Sequence, residues 1–449
     1  MLIYWLFIIL VLNLIISYKA TKCIISPPLF FNLGFAVACY FAILFYKEWD
    51  MQLLRMNTFL SIALGCSIFS IVSIVYIRKN INDDGSCLLN CRYSQILKRY
   101  KLKIFLILCC VLQFLVLYLK MHYYKMAFGG YLSFGELLFA SRMNFFDEDS
   151  ISVFPFWFRN VMQLFTVLNF CFYALLSNLV LSKERQNKVI IFLLLINILL
   201  QMACSLFDGA RGGVASSLFC LTIIFVLRYF RWTGKSVLPM KLLSRFLLLA
   251  IVAGTFLKAS AEFVGRDTNE ESSMYYFAYY CGGQVKNLDI YMGHEKFSEN
   301  FGDATFLGFY SELNKYIPIK VPKAAENIFS EYKGQNLGNV YTTFYNFYYD
   351  GGLWGVLFFT ILMSLLASAV FVKTQRSYSQ NLALSEFVYA QVCFSLFMCF
   401  FANRFYSEIL CISFFKKIIY FLIISYYFNK SFFKINRNGK NCSSSCNLQ

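Results

Sequence analysis

The sequence predicts an all-α polytopic membrane protein, and three observations carry that prediction. The 449-residue chain is 59% hydrophobic and 20% aromatic but only 14% charged, more apolar side chain than one soluble core can absorb. Its apolar residues gather into runs of about 17 to 25, the length that crosses ~30 Å of hydrocarbon as a helix with its backbone polar groups paired internally. Lys and Arg crowd into some short connectors and are sparse in others, the asymmetry that orients a membrane protein.

About eleven spans follow one another, near 2–17, 29–45, 58–77, 103–119, 158–181, 189–207, 212–228, 246–262, 353–372, 385–401 and 409–428. The first has neither a basic n-region nor a small-residue cleavage site, so it reads as a retained helix rather than a secretory signal. After the third span comes a basic connector with Arg78, Lys79, Arg92, Lys98, Arg99, Lys101 and Lys103. Lys183, Arg185 and Lys188 follow the fifth span, and Arg228, Arg231, Lys235, Lys241 and Arg245 the seventh. Held on the cytoplasmic side, these connectors put the tail with Lys430, Lys434, Arg437 and Lys440 inside and the polar segment 263–352 outside. The chain thus divides into a bundle of about eight helices (1–262), a large periplasmic or external loop (263–352), about three C-terminal helices (353–428) and a polar tail (429–449). The earlier outer loop, 120–157, reads as a cap on the bundle, with an interfacial amphipathic helix lining a lipid entry as the alternative.

Composition excludes several classes of function. The formal charge of +17 is met by the inner loops, where basic residues set topology and meet anionic membrane lipid, so nucleic acid is not an expected partner. Most of the sixteen cysteines fall in spans or inner segments, with Cys281 alone placed in the large loop, which argues against a disulfide framework. The pairs Cys87/Cys91 and Cys442/Cys446 have no histidine nearby to complete a zinc site. His122 and His294 are the only histidines, too few for a three-histidine centre, and no outer-face acidic cluster reads as the Asp-x-Asp that holds a divalent ion for a nucleotide-sugar donor; no metal or other cofactor is expected. Asp208, Gly209, Ala210, Arg211, Gly212 and Gly213 have glycines but neither a preceding strand nor the Lys-Ser/Thr of a phosphate loop.

That turn nevertheless holds Arg211 at the membrane interface, where an ionisable side chain is costly. A tight turn with an Asp208–Arg211 pair accounts for it. So does a site in which glycines admit close approach and the guanidinium fork meets phosphate oxygens. Arg404, in the turn from Asn403 to Glu408, and Arg266, just past the eighth span, extend an outer set to which Arg142 and Arg159 are weaker additions. Two strings in the large loop mix aromatic and hydrogen-bonding groups. One runs from Tyr279 and Tyr280 through Gly282, Gly283 and Asn287 to Asp289; the other from Gly338 and Asn339 through Tyr341, Thr342 and Asp350 to Gly355. Such surfaces suit sugar rings, whose apolar faces stack on aromatics, and they equally suit an interfacial belt.

The basic inner loops, the Gly209-Ala210-Arg211-Gly212 turn, the large outer loop and the two strings resemble the Wzy-type O-antigen and capsule repeat-unit polymerases of bacteria. The resemblance covers most of the chain in architecture and some thirty residues in motif. It implies a metal-independent, GT-C-like membrane glycosyltransferase at the outer face of the inner membrane. Its substrates are undecaprenyl-pyrophosphate-linked oligosaccharides, a growing glycan passes to a hydroxyl of the next lipid-linked repeat, and a chain-length regulator is an implied partner. On that reading Arg211, Arg266 and Arg404 stabilise the departing pyrophosphate, and Asp289, Asp350, His294 and Glu262 are unranked candidates for a base. Asp208, Gly209, Tyr280, Asn287, His294, Asn339, Tyr341 and Thr342 are the expected substrate contacts. O-antigen ligases share the architecture but are expected to carry a histidine late in the large loop, where this chain has Gly338-Asn339-Val340-Tyr341-Thr342. Flippases and other polysaccharide transporters tend to show internal repeats and short loops throughout, whereas no repeat is found here and one outer loop, 263–352, is long.

Overall fold

The computed structural model describes residues 1–81, 99–146, 153–182, 188–207, 212–234, 237–246, 248, 255, 273–294, 296–322, 330–376 and 382–432. In chain order the long helices are α1 (Leu2–Thr21), α2 (Pro27–Leu44), α3 (Met56–Asn80), α4 (Arg99–Phe128), α5 (Phe134–Phe146), α6 (Phe156–Leu181), α7 (Lys188–Leu206) and α8 (Gly212–Thr233). There follow α9 (Ser273–Tyr291), the short α10 (Leu307–Leu313), an antiparallel hairpin of β1 (Ser330–Tyr332) and β2 (Gln335–Gly338), and α11 (Thr343–Arg376). The chain closes with α12 (Leu384–Phe397), the single turn α13 (Arg404–Glu408) and α14 (Ile412–Phe432).

Eight of these helices, α1 to α4, α6 to α8 and α11, are long and apolar enough to cross a membrane. The outward faces fit that medium: Trp5, Leu12, Ile107, Val111, Phe192 and Ile419 are all exposed, an apolar surface that water would not tolerate over such an extent. Against about eleven expected spans, α12 is apolar but shorter, α14 carries Lys416 and Lys417 in its first two turns, and the expected span 246–262 lies largely outside the described residues. One boundary differs instructively. The helix expected from 353 starts at Thr343, and non-helical backbone at Gly351 and Gly352 separates a tyrosine-rich first part from the apolar second part. Gly352 has φ +58°, a left-handed backbone that a side chain would strain.

The innermost seam joins α3 to α11. Small residues let the backbones close, and Ser73, Ser364 and Ser368 share hydrogen bonds of 2.9 Å while Ser364 also donates to the Phe69 carbonyl at 2.9 Å. Gly65 receives the edge of Phe344, whose ring would overlap any Cβ there. Polar buckles recur between other helices. Asn32 in α2 donates to Ser70 in α3 at 2.8 Å, and Gln113 in α4 to Asn197 in α7 at 3.2 Å.

Contacts also fix which connectors share an end. Asp50 and Arg55, between α2 and α3, bond residues of the hairpin and of α9, so they share an end with the segment 273–342. At the opposite end Arg78 donates to the Ala20 carbonyl at 3.4 Å, and Arg376 donates to that of Asn80.

Near this basic end α8 is locked to α12 by a buried triad. Both Arg228 and Arg231 meet the Glu386 carboxylate, the first at 2.6 Å, and Arg231 also donates to the Thr374 carbonyl at 2.7 Å. All three side chains are at most 5% exposed.

Candidate functional site

The loop end is where the two motif strings meet. Helix α9 lies against the last turns of α2, and Gly282 is what allows it: a Cβ there would come within 2.8 Å of the Ala42 backbone nitrogen. From this helix Asn287, fully buried, donates to the carbonyls of Leu337 and Val340 at 2.9 and 2.8 Å and accepts from Ser330. A single amide therefore ties the first string to both strands of the hairpin and to the start of the second string.

Asp289, two residues on, turns toward α3. Its carboxylate accepts the backbone N–H of Arg55 at 2.8 Å and the Thr58 hydroxyl at 2.9 Å, so it caps the first turn of a helix 234 residues away in sequence. The Arg55 guanidinium closes over it, bonding the Asp289 carbonyl at 2.6 Å, and Lys286 lies 3.7 Å from the second carboxylate oxygen. Lys286 also sits 4.2 Å from the Tyr332 ring centre; burial holds its ammonium below the usual lysine range, opposed by the charges of Asp289 and Asp50. The hairpin is tethered again at its tip, where Asp50 takes Lys333 and the Tyr332 hydroxyl, each at 2.6 Å. Those bonds, Lys333's first, hold the Asp50 carboxyl below the ordinary aspartate range.

The second string begins α11 with a tyrosine ladder. Tyr341, Tyr345 and Tyr349, one helical turn apart, stack with ring centres at 4.6 and 6.2 Å, and Tyr291 from α9 meets Tyr345 edge-on at 4.4 Å. Tyr341 and Tyr349 are half-buried, and Asn339 stands half-buried beside them. Thr342 is fully buried and its hydroxyl has no partner among the described residues. In α9, Tyr280 lies 4.8 Å from both Tyr276 and Tyr279, extending the aromatic surface.

Asp350 ends this part of α11. Its two oxygens accept the backbone N–H groups of Ala304 and Thr305 at 2.8 and 2.7 Å, which pins the loop before α10 beside the kink. Asn403 takes the same loop by donating to the Thr305 carbonyl at 2.9 Å and accepts from Thr343 at 3.3 Å, so α13 stands next to the start of α11. On α13 Arg404 pairs with Glu408 at 2.9 Å, and Ser395 donates to the other Glu408 oxygen at 3.1 Å.

The expected residues therefore divide. Asn287, Tyr280, Asn339, Tyr341, Thr342 and Arg404 come together at one end of the bundle, and His294 is exposed in the turn after α9. Asp289 and Asp350 also lie there, each carboxylate engaged by the fold, one as a helix cap and the other as a loop clasp. Asp208, Gly209, Arg211, Arg266 and Glu262 lie outside the described residues, as does the side chain of Arg142; Arg159, in α6, is exposed. Sequence reasoning missed Arg55, whose partner Asp289 is 234 residues away, and Lys286, which pairs with Asp289 three residues on but meets the Tyr332 ring only in the fold. Compared with known proteins, the chain matches no family model, no curated protein and no solved structure.

Proposed function

We propose that the chain is a polysaccharide repeat-unit polymerase of a bacterial inner membrane, transferring a growing glycan from undecaprenyl pyrophosphate to a hydroxyl of the next lipid-linked repeat at the outer face. One observation carries the reading: the two strings that resemble the polymerase motifs, some fifty residues apart, fold onto each other through Asn287 and the ladder of Tyr341, Tyr345 and Tyr349. That union gives a half-buried aromatic surface with amide and hydroxyl groups at its edge, the chemistry that takes a sugar ring by stacking and by hydrogen bonds. Arg404 is held at the same end of a bundle whose other end is basic.

In the reaction the acceptor hydroxyl oxygen bonds to the anomeric carbon of the donor, and the bond from that carbon to the pyrophosphate oxygen breaks with its electron pair on the leaving group. The hydroxyl gives up its proton. Negative charge grows on the pyrophosphate, and fixed cations in a partly dry site stabilise it better than mobile water. Arg404 is one such cation, and Arg211 and Arg266 are the others proposed. Asp289 and Asp350, which the fold also engages, stand with His294 and Glu262 as candidates for the base.

The test is the surface polysaccharide of a deletion strain complemented with wild type, Arg404→Ala or Arg211→Ala at equal membrane levels, resolved by repeat number. Collapse of the ladder to a single capped repeat, with activity down by roughly 10²–10³ for each arginine, is the expected outcome. Lipid-linked repeats trapped on the cytoplasmic side of the deletion strain would make the chain a transporter, and free polymer never joined to its final acceptor would make it a ligase.

A further inference from the structure

The connection from α9 to α10 falls by sequence in the polar segment 263–352, yet it carries two aromatic rings that the fold leaves half uncovered. Phe297 and Phe301 are 53% and 55% exposed, and both lie over the Gly351–Gly352 break in α11. A Cβ on Gly351 would come within 2.9 Å of the Phe301 ring, and one on Gly352 within 3.7 Å of Phe297. Phe301 stacks on the buried Phe359 at 4.9 Å with an interplanar angle of 17° and meets Phe358 edge-on at 5.4 Å. The loop thus reaches past the kink onto the apolar part of α11.

The rings that Phe301 meets decide what covers it. Trp354, Phe358, Ile361 and Leu365 follow one another at helical spacing, are all exposed, and form an outward stripe on a helix long and apolar enough to cross a membrane. Trp354, at the head of that stripe, is the residue type that gathers where hydrocarbon meets headgroups, and Phe358 lies one turn deeper, about 6 Å along the axis. Since Phe301 packs against Phe358, the medium that covers the stripe covers Phe301 as well. The loop is also built for that medium. Its Ser298 N–H donates to the Tyr349 carbonyl at 2.8 Å and its Ala304 carbonyl accepts from Asn346 at 3.1 Å, beside the two N–H groups that Asp350 takes, so backbone groups that lipid would leave unpaired are bonded to α11. Between the two rings Glu299 and Asn300 stay exposed, which gives the loop the polar and apolar sides of an interfacial segment.

We propose that residues 296–306 form an aromatic anchor that docks on the phospholipid surface at the loop end, with Phe297 and Phe301 set among the upper acyl chains beside Trp354 and Phe358. The inference goes beyond the polymerase reading and does not depend on it. Continuity with the outward stripe of α11 makes bilayer lipid the occupant rather than a second protein. The anchor has a consequence for the ladder, because the loop is bonded to Asn346, Tyr349 and Asp350 in the same part of α11 that carries Tyr345 and Tyr349. Docking the loop holds those tyrosines at the headgroup level, where a lipid-borne polar group would meet them.

The test replaces Phe297, Phe301, Phe358 or Glu331, one at a time, by the photoreactive p-benzoylphenylalanine in the full chain. Each monodisperse protein is irradiated in nanodiscs of phosphatidylethanolamine and phosphatidylglycerol, and covalent phospholipid adducts are read by mass spectrometry. Phe358, on the outward stripe, marks contact with lipid, and Glu331, exposed on the hairpin, marks contact with water. Adducts at 297 and 301 are expected within about threefold of the yield at 358 and at least about tenfold above that at 331. Yields at both positions as low as at 331 overturn the proposal, since the loop then stands in water. Crosslinks from 301 to a second copy of the chain in place of lipid also overturn it and mark a protein interface. So does loss of the 301 adduct on adding farnesyl pyrophosphate, which marks a site for an isoprenyl chain rather than the bilayer surface.

Discussion

Asn287 shows how much one side chain does at the loop end. Replacing it by alanine leaves the buried carbonyls of Leu337 and Val340 without their donor, a cost of about 1–3 kcal/mol. Thermal melting of the purified Asn287→Ala protein should fall accordingly, with amide exchange rising first in the 330–338 hairpin. Asp50 makes the same hairpin sensitive to acid. Its carboxyl is held below the ordinary value of 3.8 by Lys333 and then Tyr332, so the tether is fully present above that value and is lost as pH falls through the lowered one. Lys333 is raised by the same bond, so its share is complete below its ordinary value of 10.5 and is lost only above the raised one. Exchange protection of 330–338, corrected for intrinsic rates, should be flat through neutral pH and drop in strong acid, and Asp50→Asn should remove the acid limb. Asn287 was legible in the sequence because its string mixes amides with tyrosines, but its work on the hairpin was not, since the bonded carbonyls lie 50 and 53 residues away. Arg55 gave no signal at all: only the fold brings it over Asp289.

Among the elements, the helices held by ions and those held by small residues should respond differently to mutation. Glu386→Gln leaves two buried guanidiniums without their carboxylate and should cost about 3–5 kcal/mol, seen as loss of monodisperse protein and a large drop in melting temperature. Ser364→Ala removes a single neutral hydroxyl from the α3–α11 seam, and shared interhelical hydrogen bonds in bilayers average only about 0.6 kcal/mol, so its melting temperature should shift little. Equal effects from the two would mean that the triad is not the clamp between α8 and α12. The helices themselves were readable because apolar length is a strong signal, and α1 to α4 and α6 to α8 lie within a few residues of their expected places, apart from longer ends on α4 and α8. The start of α11 was not. Residues 343–350 are polar and tyrosine-rich, so hydropathy records only the part beyond Gly352, although the helix is already formed before the kink. Glu386 was equally silent, because one acidic residue at the head of an apolar run looks like an interfacial group until its partners 155 and 158 residues away are seen.

For the whole molecule the governing quantity is the separation of charge between the two ends. Arg78, Arg376 and the Arg228–Arg231–Glu386 triad belong to one end, while the Asp50–Lys333 tether, the tyrosine ladder and Arg404 belong to the other. Basic connectors are retained in the cytoplasm during insertion, so the hairpin end should face outward, as lipid-linked sugar chemistry at the outer surface requires. Gly334 offers a direct probe, since it sits exposed at the hairpin turn with nothing within 4 Å of a Cβ built there. An epitope inserted after Gly334 should bind antibody on intact spheroplasts, whereas one inserted after Ile81, beside the Arg376 contact, should bind only after the membrane is permeabilised. The reverse pattern would place the tyrosine ladder and Arg404 in the cytoplasm. Both the polymerase reading and the location of its donor at the outer leaflet would then be lost together, because a chain-extending site cannot meet its lipid-linked acceptor from the wrong side of the bilayer.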